Sequence, residues 1–482
     1  MMIAGVCFAV IAPWVLGFLL ASRLPVTANL NPALRLAHGY LIGTFLCTIL
    51  LRLCNFANWS INFIAISAVL LFGGLLLWLL PPRLSKNQLL SRYATEARRP
   101  LHQLQEGGWL RVLSAMLLLG LIAWRYYTIA VEALIRPVFA WDAWASWVPR
   151  TLQFFETGTL EAGLKTIKGS HGLFTNLVHY WAMLGAGTPQ ATFTALPWLG
   201  ASLSITLGVY GWLRPAGAPL LPALLGCYLL ISLPFFDIHS MLAGYADLWL
   251  TLAMLLGLSS CAAFAERPTV AGALLVVFYA GLSASIKQAG FGCALILLAC
   301  LVHSCLCRSK AWAASVIPTI AAAASALCLL LPQSGLQVSL PLFGEHLLLM
   351  DSEQLGITGF MLVKIDAYDS IGHYLFESLF LFPSWHLLFP IAIGAYLWTL
   401  LRGDYRRACF HSTPLALVLG LLYSALYHGL AAPEAAAGHQ GLTRSMLYFV
   451  PALICWLVIA FQYTQTREVD VRTLSRSLSK PQ

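Results

Sequence analysis

Charge is what this sequence has least of. Asp, Glu, Lys and Arg together make up 10% of its 482 residues, whereas a soluble globular protein carries roughly 25%. A water-facing surface cannot be built from so few charges, so a soluble enzyme or binding module is excluded. The chain also lacks any Cys-x-x-Cys pair, and its twelve cysteines lie almost entirely inside apolar runs. They read as small hydrophobes rather than as a disulfide or metal framework. No basic stretch precedes the first apolar run, Met1 to Ala21, so that run reads as a first spanning helix and not as a cleaved signal. The formal charge of +9 is spread over short loops without a dense basic patch, which excludes nucleic acid as a partner. Internal repeats and low-complexity tracts are also missing.

What is present is apolar sequence, 59% of the residues. It falls into Leu- and Ala-rich runs of about 20 residues, the length a bilayer demands of a helix. Strict alternation is absent, so the runs predict helices rather than a β-barrel. The fold class is all-α, a polytopic transmembrane helical bundle. About thirteen spans are expected, at 3–21, 34–54, 61–80, 109–130, 190–212, 218–236, 245–264, 269–286, 289–306, 311–331, 386–401, 412–430 and 445–464. The segment 81–108, with Arg83, Lys86, Arg92, Arg98 and Arg99, is placed in the cytoplasm by the excess of basic residues on that side. Alternation then carries the tail, with Arg467, Arg472, Arg476 and Lys480, to the same side. Two long semi-apolar segments, 131–189 and 332–385, fall outside and are expected to form interfacial helices. The expected organisation is an N-terminal group of helices with its basic loop over 1–108, a core over 109–464 and a basic tail over 465–482.

The first outer segment contains Trp141-Asp142-Ala143-Trp144-Ala145-Ser146-Trp147-Val148-Pro149-Arg150. As an α-helix it would place Trp141, Trp144 and Val148 on one face and Asp142 and Ser146 on another. An aromatic belt at the membrane surface accounts for the tryptophans; the carboxylate would turn toward the bundle. Farther along, Gly244-Tyr245-Ala246-Asp247 opens a span, Ser285-Ile286-Lys287-Gln288 closes one, and Thr443-Arg444-Ser445 opens the last. Ionisable groups at membrane helices are costly and mark function by default. The plainer alternatives are dipole stabilisation for Asp247 and snorkelling or interfacial anchoring for Lys287 and Arg444.

These motifs together resemble the GT-C superfamily of integral membrane glycosyltransferases, in particular bacterial members related to protein mannosyltransferases and aminoarabinose transferases. The resemblance spans roughly residues 110–464. It departs from relatives that carry His-Pro-x-Tyr-Pro after the first motif, since this chain has Ser170-His171-Gly172-Leu173-Phe174 there. The resemblance implies an inverting hexosyl- or pentosyltransferase in the bacterial cytoplasmic membrane. It would move a sugar from a polyprenyl-phosphate donor to a glycan, lipid or protein acceptor on the outer face. It also implies that the three helices before residue 109 are peripheral.

The residue types suit that chemistry. The leaving phosphate is already stable as an anion, so a single carboxylate base suffices, and Asp142 is the candidate. A glycosidase expelling an alkoxide needs two. Phosphate charge calls for cations in a dry site, with Lys287, Arg444 and His171 as candidates, or for a divalent metal such as Mg or Mn. Asp247, Asp237 and His239 are candidates for holding the acceptor or that metal, with Asp247 and His239 foremost for the metal. Two other classes remain open. One is an O-antigen polymerase or ligase, which takes a pyrophosphate-linked donor. The other is a lipid-linked sugar transporter or flippase, which ordinarily shows midplane charges or repeats.

Overall fold

The structure is a computed structural model. It describes residues 2–28, 30–80, 108–161, 172–189, 192–306, 336–340, 346–350, 354–357, 361–364, 372–401, 412–431 and 438–462. The chain is a helical bundle with one small sheet. The N-terminal helices are α1 (Met2–Ala21), α2 (Pro32–Phe56) and α3 (Phe63–Leu79), followed by α4 (Gly108–Ile135), α5 (Val148–Thr157) and α6 (Phe174–Ala186). Next come α7 (Leu196–Leu213), α8 (Leu220–Ser232), α9 (Pro234–Met241), α10 (Asp247–Glu266), α11 (Val270–Ile286) and α12 (Ala289–Leu306). After the sheet follow α13 (Gly372–Phe376), α14 (Leu388–Leu401), α15 (Thr413–Ala431), α16 (Gln440–Leu447) and α17 (Val450–Gln462).

Local sequence sets many of the boundaries. Asn31 caps α2 by accepting the Ala33 N–H at 2.9 Å, with Pro32 at the first helical position. Thr269 caps α11 through the Gly272 N–H at 3.0 Å. Pro234 has no N–H to continue α8, and the residue before it is extended, so α8 and α9 meet at a 69° bend. A second bend, of 54°, separates α16 from α17 just before Pro451.

Every predicted span within the described residues coincides with a helix or a bent pair. Among the described residues six helices are long and apolar enough to cross a membrane, and up to eight spans result if each bent pair counts as one. This is a membrane protein by that measure, with fewer full-length spans than the thirteen expected. The difference has a physical origin. α3, α11, α14 and α15 are apolar but have shorter qualifying stretches, and the span expected at 311–331 lies outside the described residues. Lipid-facing character is clear on α4, whose Leu110, Leu113, Met116, Leu117 and Trp124 are exposed.

The segment 332–385 keeps helical turns over 372–385, but its other described residues depart from the expected interfacial helices. Over residues 336–364 it forms a four-stranded antiparallel meander: β1 (Leu336–Leu340), β2 (His346–Met350), β3 (Gln354–Ile357) and β4 (Met361–Lys364). Leu336 pairs with Met350, Leu348 with Ile357 and Gln354 with Lys364. Leu336-Gln337-Val338-Ser339-Leu340 alternates apolar and polar residues, the period of a strand. The segment 131–189 carries α5 and α6, but α6 is a buried core helix and not an interfacial one, with Phe174 to Met183 all buried.

Packing does not pause at residue 108. The Tyr40 hydroxyl donates to the Pro197 carbonyl at 2.7 Å, and its ring stacks on Trp249 at 5.7 Å. His38 Nδ1 meets the Tyr279 hydroxyl. α2 therefore packs within the core. α1 and α2 touch backbone to backbone through Gly17, Gly39 and Gly43, a small-residue crossing of the kind that drives helix association in lipid. A Cβ on Gly43 would lie 1.7 Å from the Pro13 carbonyl oxygen. Gly43→Val must push the two helices apart. It is expected to cost about 1–3 kcal/mol, read as a lowered melting temperature in detergent; an unchanged melt would contradict this crossing.

Candidate active site

The two bent pairs bring polar groups to the end of the bundle where α10 begins and α11 ends. Asp142 lies just ahead of a π-turn, Ala143–Trp147, that leads into α5. Pro149 lacks an N–H, and the Val148 N–H bonds to the Ala143 carbonyl, the i to i+5 pattern. This register corrects the expected helical faces. Trp141 and Trp144 are exposed, at 81% and 49%, but Val148 is 3% exposed and packs inward beside buried Trp147. The turn is tied down from both sides: Trp144 donates to the Val138 carbonyl at 2.6 Å, and Asn176 donates to the Trp147 carbonyl at 2.6 Å.

Against this turn packs the loop before α10. Gly244 has φ +92°, and a Cβ there would come within 2.6 Å of Ala143 Cβ. Only glycine meets both the left-handed backbone and the close approach. The next residue, Tyr245, is held by a bond from Trp198 Nε1 to its carbonyl at 2.7 Å. Its ring lies under the Arg444 guanidinium, 4.9 Å from carbon to centroid, a cation–π contact.

Arg444, on α16, forms an ion pair with Asp142, 302 residues away in sequence. A second ion pair lies deeper. Lys287, in the extended turn between α11 and α12, donates to Asp247 Oδ1 at 2.7 Å, and the Tyr448 hydroxyl donates to the same oxygen at 2.7 Å. The Lys287 ammonium also sits 5.4 Å from the Tyr448 ring centre. Arg444 feels the charges of both Asp142 and Asp247, so the pairs form one cluster of two carboxylates and two cations. The side chains of Asp247 and Lys287 are 3% and 15% exposed, those of Asp142 and Arg444 33% and 23%. Asp247 and Lys287 thus hold each other inside, while Asp142 and Arg444 face outward and remain reachable.

His239, on α9, joins the cluster. It is buried, stands 5.9 Å from the Tyr245 ring, and has Asp247, Arg444 and Lys287 as its charged neighbours. Asp237, two residues earlier, pairs instead with Arg125 of α4. Among the described residues no three of His, Cys, Asp and Glu are grouped so as to hold a metal ion. The metal site considered from Asp237, His239 and Asp247 is therefore not formed by these side chains: Arg125 takes up Asp237, and Lys287 with Tyr448 takes up Asp247.

His171 lies outside the described residues. Its neighbour Gly172 packs on Ser285, where a Cβ would stand 2.1 Å from the carbonyl oxygen, two residues from Lys287. His179 is a core residue. It is buried against Trp198 with Thr194 Oγ1 at 3.3 Å from Nε2, and burial pushes its imidazole down to about 4. Near α16, His439 lies between Glu377 at 3.3 Å and the Ser378 hydroxyl at 3.1 Å, which ties the entry of α16 to the π-turn Glu377–Leu381.

Tyr245 and Tyr448 are the participants that sequence reasoning did not single out. A signal existed for Tyr448, which follows Arg444 by four positions, one helical turn. No protein-family model matches the chain, and neither the curated proteins nor the solved structures contain a match to it.

Proposed function

We propose that this protein is an inverting membrane glycosyltransferase of the GT-C type, taking its sugar from a polyprenyl-phosphate donor at the outer face of a bacterial cytoplasmic membrane. The observation that carries the reading is the Asp142–Arg444 pair, coupled through Arg444 to Asp247 and its partners Lys287 and Tyr448. Two cations and a half-exposed carboxylate at one end of an apolar bundle suit a lipid whose head is a sugar phosphate. The resemblance of the Trp-Asp-Ala-Trp and Gly-Tyr-Ala-Asp stretches points the same way.

In this reading the donor's phosphate draws on Arg444 and Lys287. The planar guanidinium has five donors and can serve a phosphate without leaving Asp142. An acceptor hydroxyl placed at Asp142 gives up its proton to the carboxylate as its oxygen bonds to the sugar C1. The bond from C1 to the phosphate oxygen breaks with its electron pair on the phosphate, where the two cations balance the charge. One displacement inverts C1. Burial of the inner pair keeps Lys287 preorganised, because Asp247 fixes the ammonium before donor arrives.

Competition between donors tests this choice against a polymerase or ligase. Purified protein in detergent is expected to have bound radiolabelled polyprenyl-phosphate monosaccharide displaced by the same lipid unlabelled. Polyprenyl-pyrophosphate oligosaccharide is expected to displace it at least tenfold less well. The reverse order would favour the pyrophosphate-dependent class.

A further inference from the structure

The cluster contains one polar atom that no group among the described residues satisfies. His239 Nδ1 lies 3.0 Å from the Phe235 carbonyl oxygen. A carbonyl only accepts, so the proton sits on Nδ1, and in the uncharged ring Nε2 is a bare acceptor. Burial of the ring opposes a second, charge-bearing proton. Nε2 is buried, and no hydrogen-bond donor among the described residues reaches it. Its ring is held in place by Phe235, 4.3 Å away, and by Tyr245 at 5.9 Å, so it does not simply turn to find a partner. Buried acceptors in folded proteins are nearly always paired, and an orphan calls for an explanation. Lys287 and Arg444 are committed to Asp247 and Asp142.

We propose that His239 Nε2 accepts a hydrogen bond from a hydroxyl of the donor's sugar ring, making His239 the residue that distinguishes a sugar-bearing polyprenyl phosphate from the bare lipid phosphate. The inference rests on the glycosyltransferase reading and adds to it a neutral hydroxyl donor lying beside the anion. A site built around an unpaired acceptor rejects ligands that lack the matching donor far more strongly than an apolar pocket rejects a missing methylene.

Binding of two probes tests it. One is bare polyprenyl phosphate; the other is polyprenyl-phosphate sugar, presented in turn with mannose, glucose, galactose and arabinose. Both are titrated into purified full-length protein in detergent. Wild type is expected to bind at least one sugar-bearing lipid ten times or more tighter than the bare phosphate. His239→Phe is expected to lose that preference while its affinity for the bare phosphate stays within about threefold. His239→Gln, which keeps an acceptor near the position of Nε2, is expected to retain part of the preference and serves if the Phe variant does not fold. A preference unchanged in both variants overturns the assignment. So does equal binding of all lipids by wild type, which leaves the phosphate site standing. Failure of every lipid to bind removes the glycosyltransferase reading itself, and the inference with it.

Discussion

Asp142→Asn is expected to bind a polyprenyl-phosphate sugar at least as tightly as wild type and to turn it over about 10²- to 10⁴-fold more slowly, the usual contribution of a positioned base. The direction of the binding effect follows from the ion pair. Asp142 holds Arg444, and its charge repels a phosphate sharing that guanidinium, so the two anions compete electrostatically even where both are bonded. An amide of the same size removes the competition together with the base. The charge change is tolerable for the fold because both side chains are partly exposed, at 33% and 23%, where ion pairs contribute little. Single-turnover kinetics separates binding from chemistry. Loss of donor binding in the Asn variant would make Asp142 a structural anchor for Arg444. Equal turnover would leave it part of a membrane-surface turn.

Lys287→Met carries the second large effect, and it falls first on stability. Asp247 is buried, with its Oδ1 held by Lys287 and Tyr448. Removing the ammonium leaves a buried carboxylate with one neutral donor. Breaking such a pair from one side costs about 3–5 kcal/mol. The variant is therefore expected to melt much earlier in detergent and to accumulate poorly. The double variant Lys287→Met with Asp247→Leu removes both charges and is expected to recover most of the stability, since paired burial is not in itself a large net gain. It is not expected to recover donor affinity, because the phosphate still lacks a cation. That divergence between melting and binding distinguishes a ligand-binding lysine from one that merely neutralises Asp247.

Much of this arrangement is legible in the sequence, for identifiable reasons. Long apolar runs report helices because lipid leaves the backbone no other local solution. Single charges within or beside those runs mark candidates because each is expensive there; Lys287 and Arg444 stand out on that ground, and Asp142 and Asp247 through the motifs that carry the family resemblance. Their pairing is not legible. Nothing local couples Asp142 to Arg444, and only the packed bundle shows that Lys287 meets Asp247 rather than remaining free. The tyrosines were hidden by their ordinariness, since an aromatic at a membrane surface already has an explanation as an anchor. The π-turn at Ala143–Trp147 escaped because the aromatic spacing suits an α-helix, and only Pro149 argues otherwise. The meander over 336–364 is written in short alternating runs that are easily lost in a semi-apolar segment. The early helices are expected to be peripheral because the resemblance begins after them, yet Tyr40 and His38 bind α2 to the core.

The divided spans explain why the cluster can exist in so apolar a molecule. His239 lies on α9, after the 69° bend, and Arg444 on α16, before the 54° bend. Straight helices would carry these groups along the bundle wall. The bends turn two short helices across its end, where interrupted backbone can line a polar site. Gly244 lets the Tyr245 loop close against the Asp142 turn, and the polar side chains then meet within one patch.

The central claim is donor chemistry, and release of polyprenyl phosphate from radiolabelled polyprenyl-phosphate sugars tests it most directly. Purified wild-type protein, supplied with a cell-envelope fraction as acceptor, is expected to convert at least one donor to free polyprenyl phosphate and a labelled product, while Asp142→Asn converts none at a comparable rate. Conversion of no donor by wild type that demonstrably binds these lipids would contradict the account and leave a protein that carries lipid-linked sugars without cleaving them.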